Sequence, residues 1–133
     1  MRHQSHRVLV AVLGLLLLAL PVLAHHSISS EFDPTREFTV KGVLAKVEWS
    51  NPHIYTYVDV KDEKTGRVER YAFEGNPPGT YRRAGMKKSD WKIGEVVRVT
   101  AATAKDGTKL LGFMKLMRYE SDGHALVFRV GGE

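Results

Sequence analysis

Glu37-Phe38-Thr39-Val40-Lys41-Gly42-Val43-Leu44-Ala45-Lys46-Val47-Glu48-Trp49 is the stretch on which the fold turns. Phe38 and Val40 share one parity; Val43, Ala45, Val47 and Trp49 share the other. Successive side chains of a strand face opposite sides, so a change of parity reverses which set points inward. The switch falls at Gly42 and predicts a β-bulge or sharp bend in one long strand. A strand bent in this way serves both halves of a small barrel.

Downstream, Asn51-Pro52 breaks the run. Ile54, Thr56, Val58 and Val60 then alternate with Tyr55, Tyr57, Asp59 and Lys61, the pattern of a half-buried strand. Asp62 to Gly66 reads as a hairpin loop, and Val68 to Glu74 as the returning strand. Gly75-Asn76-Pro77-Pro78-Gly79 is a strong break. Asn76 is placed to cap a short helix with Pro77 at its first position, ending near Ala84 and stopped by Gly85. Ser89 to Gly94 leads into a fourth strand, Glu95 to Ala104. The Asp106-Gly107 turn precedes a fifth, Lys109 to Tyr119, and Asp122-Gly123 precedes a short sixth, Ala125 to Val130. Three strands, a short helix and two strands follow the order of an OB-fold barrel. The expectation is a mostly β domain over residues 37–133, a small antiparallel OB-like barrel of five to six strands with one short helix. Another small antiparallel barrel or a sandwich is the alternative. Val43, Val47, Val58, Val60, Phe73, Val97 and Val99 form the expected inward set.

Upstream, residues 1–24 read as a secretory signal peptide. Arg2 and Arg7 supply a positive start, Val8 to Leu20 an uncharged apolar run, and Val22-Leu23-Ala24 a cleavage site. An uncleaved anchor would want about 20 apolar residues, and Pro21 interrupts the last turn. The protein is therefore expected to be exported, periplasmic or secreted, with no stable membrane anchor after cleavage. Residues 25–36 read as a polar N-terminal arm, with Asp33-Pro34 marking extended or loop structure.

Of 133 residues, 24 would be removed, leaving one small domain with a single core. Cysteine is absent, so disulfides contribute nothing. The net charge of +5 drops by the two lost arginines to a modest positive balance that identifies no partner. Nucleic acid is not expected as a partner outside the cytoplasm; an unidentified small ligand or protein is.

The run His25-His26-Ser27 with Glu31-Phe32-Asp33, then Lys41-Gly42-Val43 and Val47-Glu48-Trp49-Ser50-Asn51-Pro52-His53, resembles a family of small exported bacterial proteins. Tyr57-Val58-Asp59-Val60, Ala72-Phe73-Glu74-Gly75, Tyr81-Arg82-Arg83 and Gly94-Glu95-Val96-Val97 carry the same resemblance. The family is catalogued as domain of unknown function 6152. The resemblance implies export and the strand order, and brings no assigned activity, substrate or catalytic residue.

Three constellations carry possible chemistry. Cleavage after Ala24 would give His25 a free amine, with a pKa of about 7.7–8.0 beside an imidazole near about 6.5. Amine and imidazoles of His25 and His26 chelate metal at neutral pH, and nitrogen ligands in a plane suit copper. A third nitrogen could come from His53 or His124. Such a clamp resembles that of copper-dependent oxidative enzymes, but any peptide beginning this way binds copper.

The second constellation is Trp49, Asn51, His53, Tyr55 and Tyr57. The turn at Asn51-Pro52 puts His53 at the start of a strand, on the parity of Tyr55 and Tyr57, a face suited to stacking on a ring or sugar. The bland reading is a core Trp49 with tyrosines covering a surface. The third is the basic segment Arg82, Arg83, Lys87, Lys88 and Lys92 beside Tyr81 and Trp91, which suits an anionic ligand or headgroups but equally a solvated surface. Phosphate loops, zinc-binding His-Glu-x-x-His and nucleophile elbows are absent. Glu48, Asp59 and Glu74 sit isolated on strands. The resulting expectation is an exported, non-enzymatic ligand-binding or interaction domain, with a copper-binding protein as the alternative and an enzyme third.

Overall fold

The computed structural model describes residues 28–128. Its elements are α1 (Ile28–Glu31), β1 (Phe32–Glu48), β2 (Tyr55–Lys61), β3 (Val68–Glu74), α2 (Pro78–Arg83), a 3-10 turn (Lys88–Asp90), β4 (Val96–Ala104), β5 (Leu111–Tyr119) and β6 (Ala125–Val127). The sheet runs β3-β2-β1-β4-β5-β6, and β3 also pairs with β5. Strands β1 to β5 thus close into a barrel, and β6 extends it along β5. The mostly β, OB-like expectation holds, with two changes: α1 is a second short helix, ahead of the first strand, and the sheet is not wholly antiparallel. The closing pair, Ala72 to Glu74 beside Leu111 to Phe113, is parallel, so the barrel is mixed. A ring of five strands cannot alternate in direction all the way round, so one contact must be parallel. No helix among the described residues is long and apolar enough to cross a membrane.

The long first strand is bent as expected, but its bulge lies later. The β1–β2 register shifts between Leu44 and Lys46, leaving Ala45 as the extra residue. Phe38, Val40 and Leu44 therefore share the inward side, and Val47 and Trp49 take it up after the bulge. Val43, expected inward, is 42% exposed, while Leu44 is fully buried. Adjacent Val43 and Leu44 suit either parity, and the pairing of Leu44 with Val58 across β2 decides between them. Val58, Phe73, Val97 and Val99 are fully buried as expected; Val47 and Val60 are half-buried against the same core.

Gly42 serves close approach. A Cβ there would lie 2.8 Å from Val58 Cγ1 and 2.9 Å from the Asp59 backbone carbon. The missing side chain lets β1 press against β2 while still pairing with β4 through Val97.

β1 starts at Phe32, within the stretch read as a polar arm. Phe32 is buried against Phe113, ring centroids 5.8 Å apart, and pairs with Ala104. The polar signal came from Pro34 to Arg36, which loop out between the Asp33–Thr103 and Glu37–Ala102 pairs. Asp33 Oδ1 steadies that loop by accepting hydrogen bonds from Thr35 N–H at 3.0 Å and Thr35 Oγ1 at 2.7 Å. Helix α2 begins one residue later than expected, with Pro78 at its first position and no side-chain cap. Asn76 instead donates its backbone N–H to the Tyr81 hydroxyl at 2.8 Å. Burial pushes that phenol up to about 12, against the opposing pull of the Asn76 N–H.

Candidate functional site

The outward side of β1, β2 and β3 gathers the polar residues that alternate with the core. Tyr55 stands between Glu48 of β1 and Glu74 of β3, and Tyr57 between Lys46 and Ala72. The β2–β3 ladder continues past the strand ends: Gly75 N–H donates to Ile54 O at 2.8 Å and Ile54 N–H to Asn76 O at 3.3 Å. His53 is thereby held beside the end of β3. Its Nδ1 lies 3.0 Å from Gly75 O and 3.3 Å from Glu74 Oε1. Both neighbours are acceptors, so Nδ1 is the ring nitrogen that donates to them.

Glu74 is 8% exposed, and its second oxygen, Oε2, accepts from the Tyr55 hydroxyl at 2.9 Å. Burial first, and the Glu74 hydrogen bond second, hold the Tyr55 phenol well above its ordinary range. A parallel arrangement surrounds Tyr57. Its hydroxyl donates to Glu48 Oε2 at 3.0 Å, Lys46 Nζ donates to Glu48 Oε1 at 2.6 Å, and Nζ lies 5.5 Å above the Tyr57 ring. The Lys46 and Tyr57 hydrogen bonds lower the Glu48 carboxyl, and burial and Glu48 raise the Tyr57 phenol. Arg70 grips Asp59 through two bonds of 2.7 and 2.8 Å on the same face.

The residues read from the sequence therefore divide. His53, Tyr55 and Tyr57 share one face, as their parity implies. Asn51 is exposed on the preceding turn. Trp49 lies elsewhere, half-buried and edge-on to Trp91 at 5.1 Å and 78°, in a cluster with Tyr81 and Phe128. Glu48 and Glu74 join the site unforeseen, because strand pairing brings them beside the tyrosines and linear spacing does not show it.

His25 and His26 lie outside the described residues. Among the described residues no three His, Cys, Asp or Glu side chains are grouped to hold a metal ion. His53 and Glu74 make two, and His124 stands exposed over the Tyr119 ring at 6.4 Å. In the basic segment, Tyr81 and Trp91 are buried in the core while Arg82, Arg83, Lys87, Lys88 and Lys92 stay exposed. Of these cations Lys92 lies over a ring, that of Tyr119, with Nζ 5.1 Å from its centroid. Trp91 Nε1 donates to buried Thr56 Oγ1 at 2.9 Å.

The family model described as "Family of unknown function (DUF6152)" matches residues 12–113. Neither a curated protein nor a solved structure matches the chain.

Proposed function

The chain belongs to this family of unknown function, DUF6152, and we propose that it is an exported, non-enzymatic binding domain that holds a small ring-bearing ligand on the outer face of β2. One observation carries the reading: the hydroxyls of Tyr55 and Tyr57 are tied to Glu74 and Glu48 at 2.9 and 3.0 Å. Two half-buried rings fixed in this way lose little freedom on binding, which favours stacking. His53 Nε2 and Lys46 supply polar contacts at the edges. Export rests on the charged start, the apolar run and the Val22-Leu23-Ala24 site.

Amide shift mapping with neutral saccharides and with indole tests it. Shifts are expected to centre on residues 53–57, and Tyr57→Ala to weaken binding about tenfold, the scale of one aromatic contact. Shifts elsewhere, or an unchanged Tyr57→Ala affinity, would remove the reading.

Copper binding is the second reading, favoured by the proton held on His53 Nδ1. A ligand imidazole is ordinarily oriented in this way, its far nitrogen donating to a carboxylate or carbonyl. The test compares protein beginning at His25, verified by intact mass, with the peptide His25 to Asp33 and with His53→Ala. If His53 completes a site, the protein binds Cu(II) more than about 100-fold tighter than the peptide, and His53→Ala falls to the peptide's affinity. Equal affinities would reduce copper binding to an accident of the cleavage site.

A further inference from the structure

A groove of about 630 Å³ opens where the start of β3 meets the β4–β5 turn and the first residues of β1. It is separate from the His53 face. Alternation along β3 turns Glu69, Tyr71 and Phe73 to the barrel side and Arg70 and Glu74 to the outside, and the two sites lie toward opposite ends of the strand. The groove exists because β3 pairs with β5 only from Ala72 onward, so the seam is open below that point. Leu110 adopts a left-handed backbone, φ 62°, and its carbonyl accepts Ala72 N–H at 2.8 Å, which sets the edge of the opening.

The floor is aromatic. Phe38 and Tyr71 have centroids 6.2 Å apart, and each lies 6.1 Å from Phe73. Phe38 is seated over Gly112, where a Cβ would come within 2.8 Å of its ring.

Several polar side chains of the groove have no hydrogen-bond or ion-pair partner among the described residues. Tyr55 and Tyr57 donate to carboxylates, Tyr119 donates to the Asp90 carbonyl, and Tyr81 accepts from Asn76. Tyr71 is the tyrosine whose hydroxyl has no hydrogen-bond partner among the described residues. Arg36 and Lys109 line the same groove without an ion pair among those residues. By contrast Lys41, Lys46, Arg70, Arg98 and Lys115, on neighbouring strands, each hold a carboxylate. Glu69 also faces the groove, likewise without an ion pair there.

We propose that this groove binds a flat aromatic anion. The ring lies on Phe38 and Tyr71, the anionic group sits against Arg36 and Lys109, and the Tyr71 hydroxyl donates to it. Charge-assisted bonds from Arg36 and Lys109, two cations against the one carboxylate of Glu69, give the site its sign. Glu69 accepts from a ligand N–H or O–H and would repel a ligand without one.

The probe is 1-anilinonaphthalene-8-sulfonate, which combines aromatic rings, one anion and one N–H. Its neutral counterpart, N-phenyl-1-naphthylamine, lacks only the sulfonate. Expected are one sulfonate probe per chain and amide shifts on residues 36–38, 69–71 and 107–111. Arg36→Ala/Lys109→Ala should weaken it more than about tenfold, with no comparable loss for the neutral compound. Tyr71→Phe, which keeps the floor, should weaken the anion alone. Arg82→Ala/Arg83→Ala, exposed on α2, should change neither. Equal binding to wild type and the Arg36/Lys109 variant, several probes per chain, or shifts centred on exposed Val43 and Val96 would overturn the proposal.

Discussion

Val58→Asp is expected to abolish cooperative folding of the domain. Val58 is fully buried, opposite Leu44 on one side and Tyr71 on the other. A carboxylate there has no partner and no water. The cost is several kcal/mol, comparable with the ~5–15 kcal/mol that holds a small domain together. The comparison is Val43→Lys, one position before Leu44 on the same bent strand. Val43 is 42% exposed and opposite Asp59, so this change should stay within about 0.5 kcal/mol, the ordinary range for a surface site. Thermal unfolding followed by near-ultraviolet circular dichroism measures both. A folded Val58→Asp protein with an unaltered transition, or a Val43→Lys protein as damaged as Val58→Asp, would refute the assigned side of the strand.

Gly42→Ala is expected to lower the melting temperature by more than about 10 °C, the equivalent of ~2–3 kcal/mol for a domain of this size. One methyl group does this because the atoms in its way belong to the Asp59 backbone and the Val58 side chain, themselves locked in the β2 ladder. Gly66→Ala separates this cause from backbone strain. Gly66 has a left-handed φ of 74° and nothing within 4 Å of an added Cβ, so it should lose only the ~1–2 kcal/mol of that conformation. Calorimetry on the pair decides. Should Gly66→Ala prove the more damaging, crowding between β1 and β2 would not be the reason for the glycine.

The alternation in Ile54 to Val60 identified β2 outright, with Thr56 the one polar residue in its inward set. Turn chemistry at Asp62 to Gly66, Asp106-Gly107 and Asp122-Gly123 divided the remaining strands. The bulge was misplaced by three residues, because a glycine carries no side chain to declare a face and the Val43-Leu44 pair fits both. Phe32 was hidden by its polar neighbours, which leave the ladder while Phe32 stays in it. At the site, parity placed His53, Tyr55 and Tyr57 together, but the groups that orient them came from β1 and β3. Glu74 is 19 residues from Tyr55 and 21 from His53, and only the barrel makes them neighbours. The groove was illegible for the same reason: Phe38, Tyr71 and Leu111 converge through the parallel closure, which no local pattern announces.

Trp49 and Trp91 are the two tryptophans of the chain, and both stand in the aromatic cluster with Tyr81 and Phe128. The consequence is optical. Intrinsic indole emission reports one end of the barrel, where a T-shaped pair at 5.1 Å shares its surroundings with a residue from beyond β6. Neither the His53 face nor the groove floored by Phe38 and Tyr71 contains an indole. A ligand can fill either of them and leave the indole emission unchanged, so silence in that signal is no sign of an empty site.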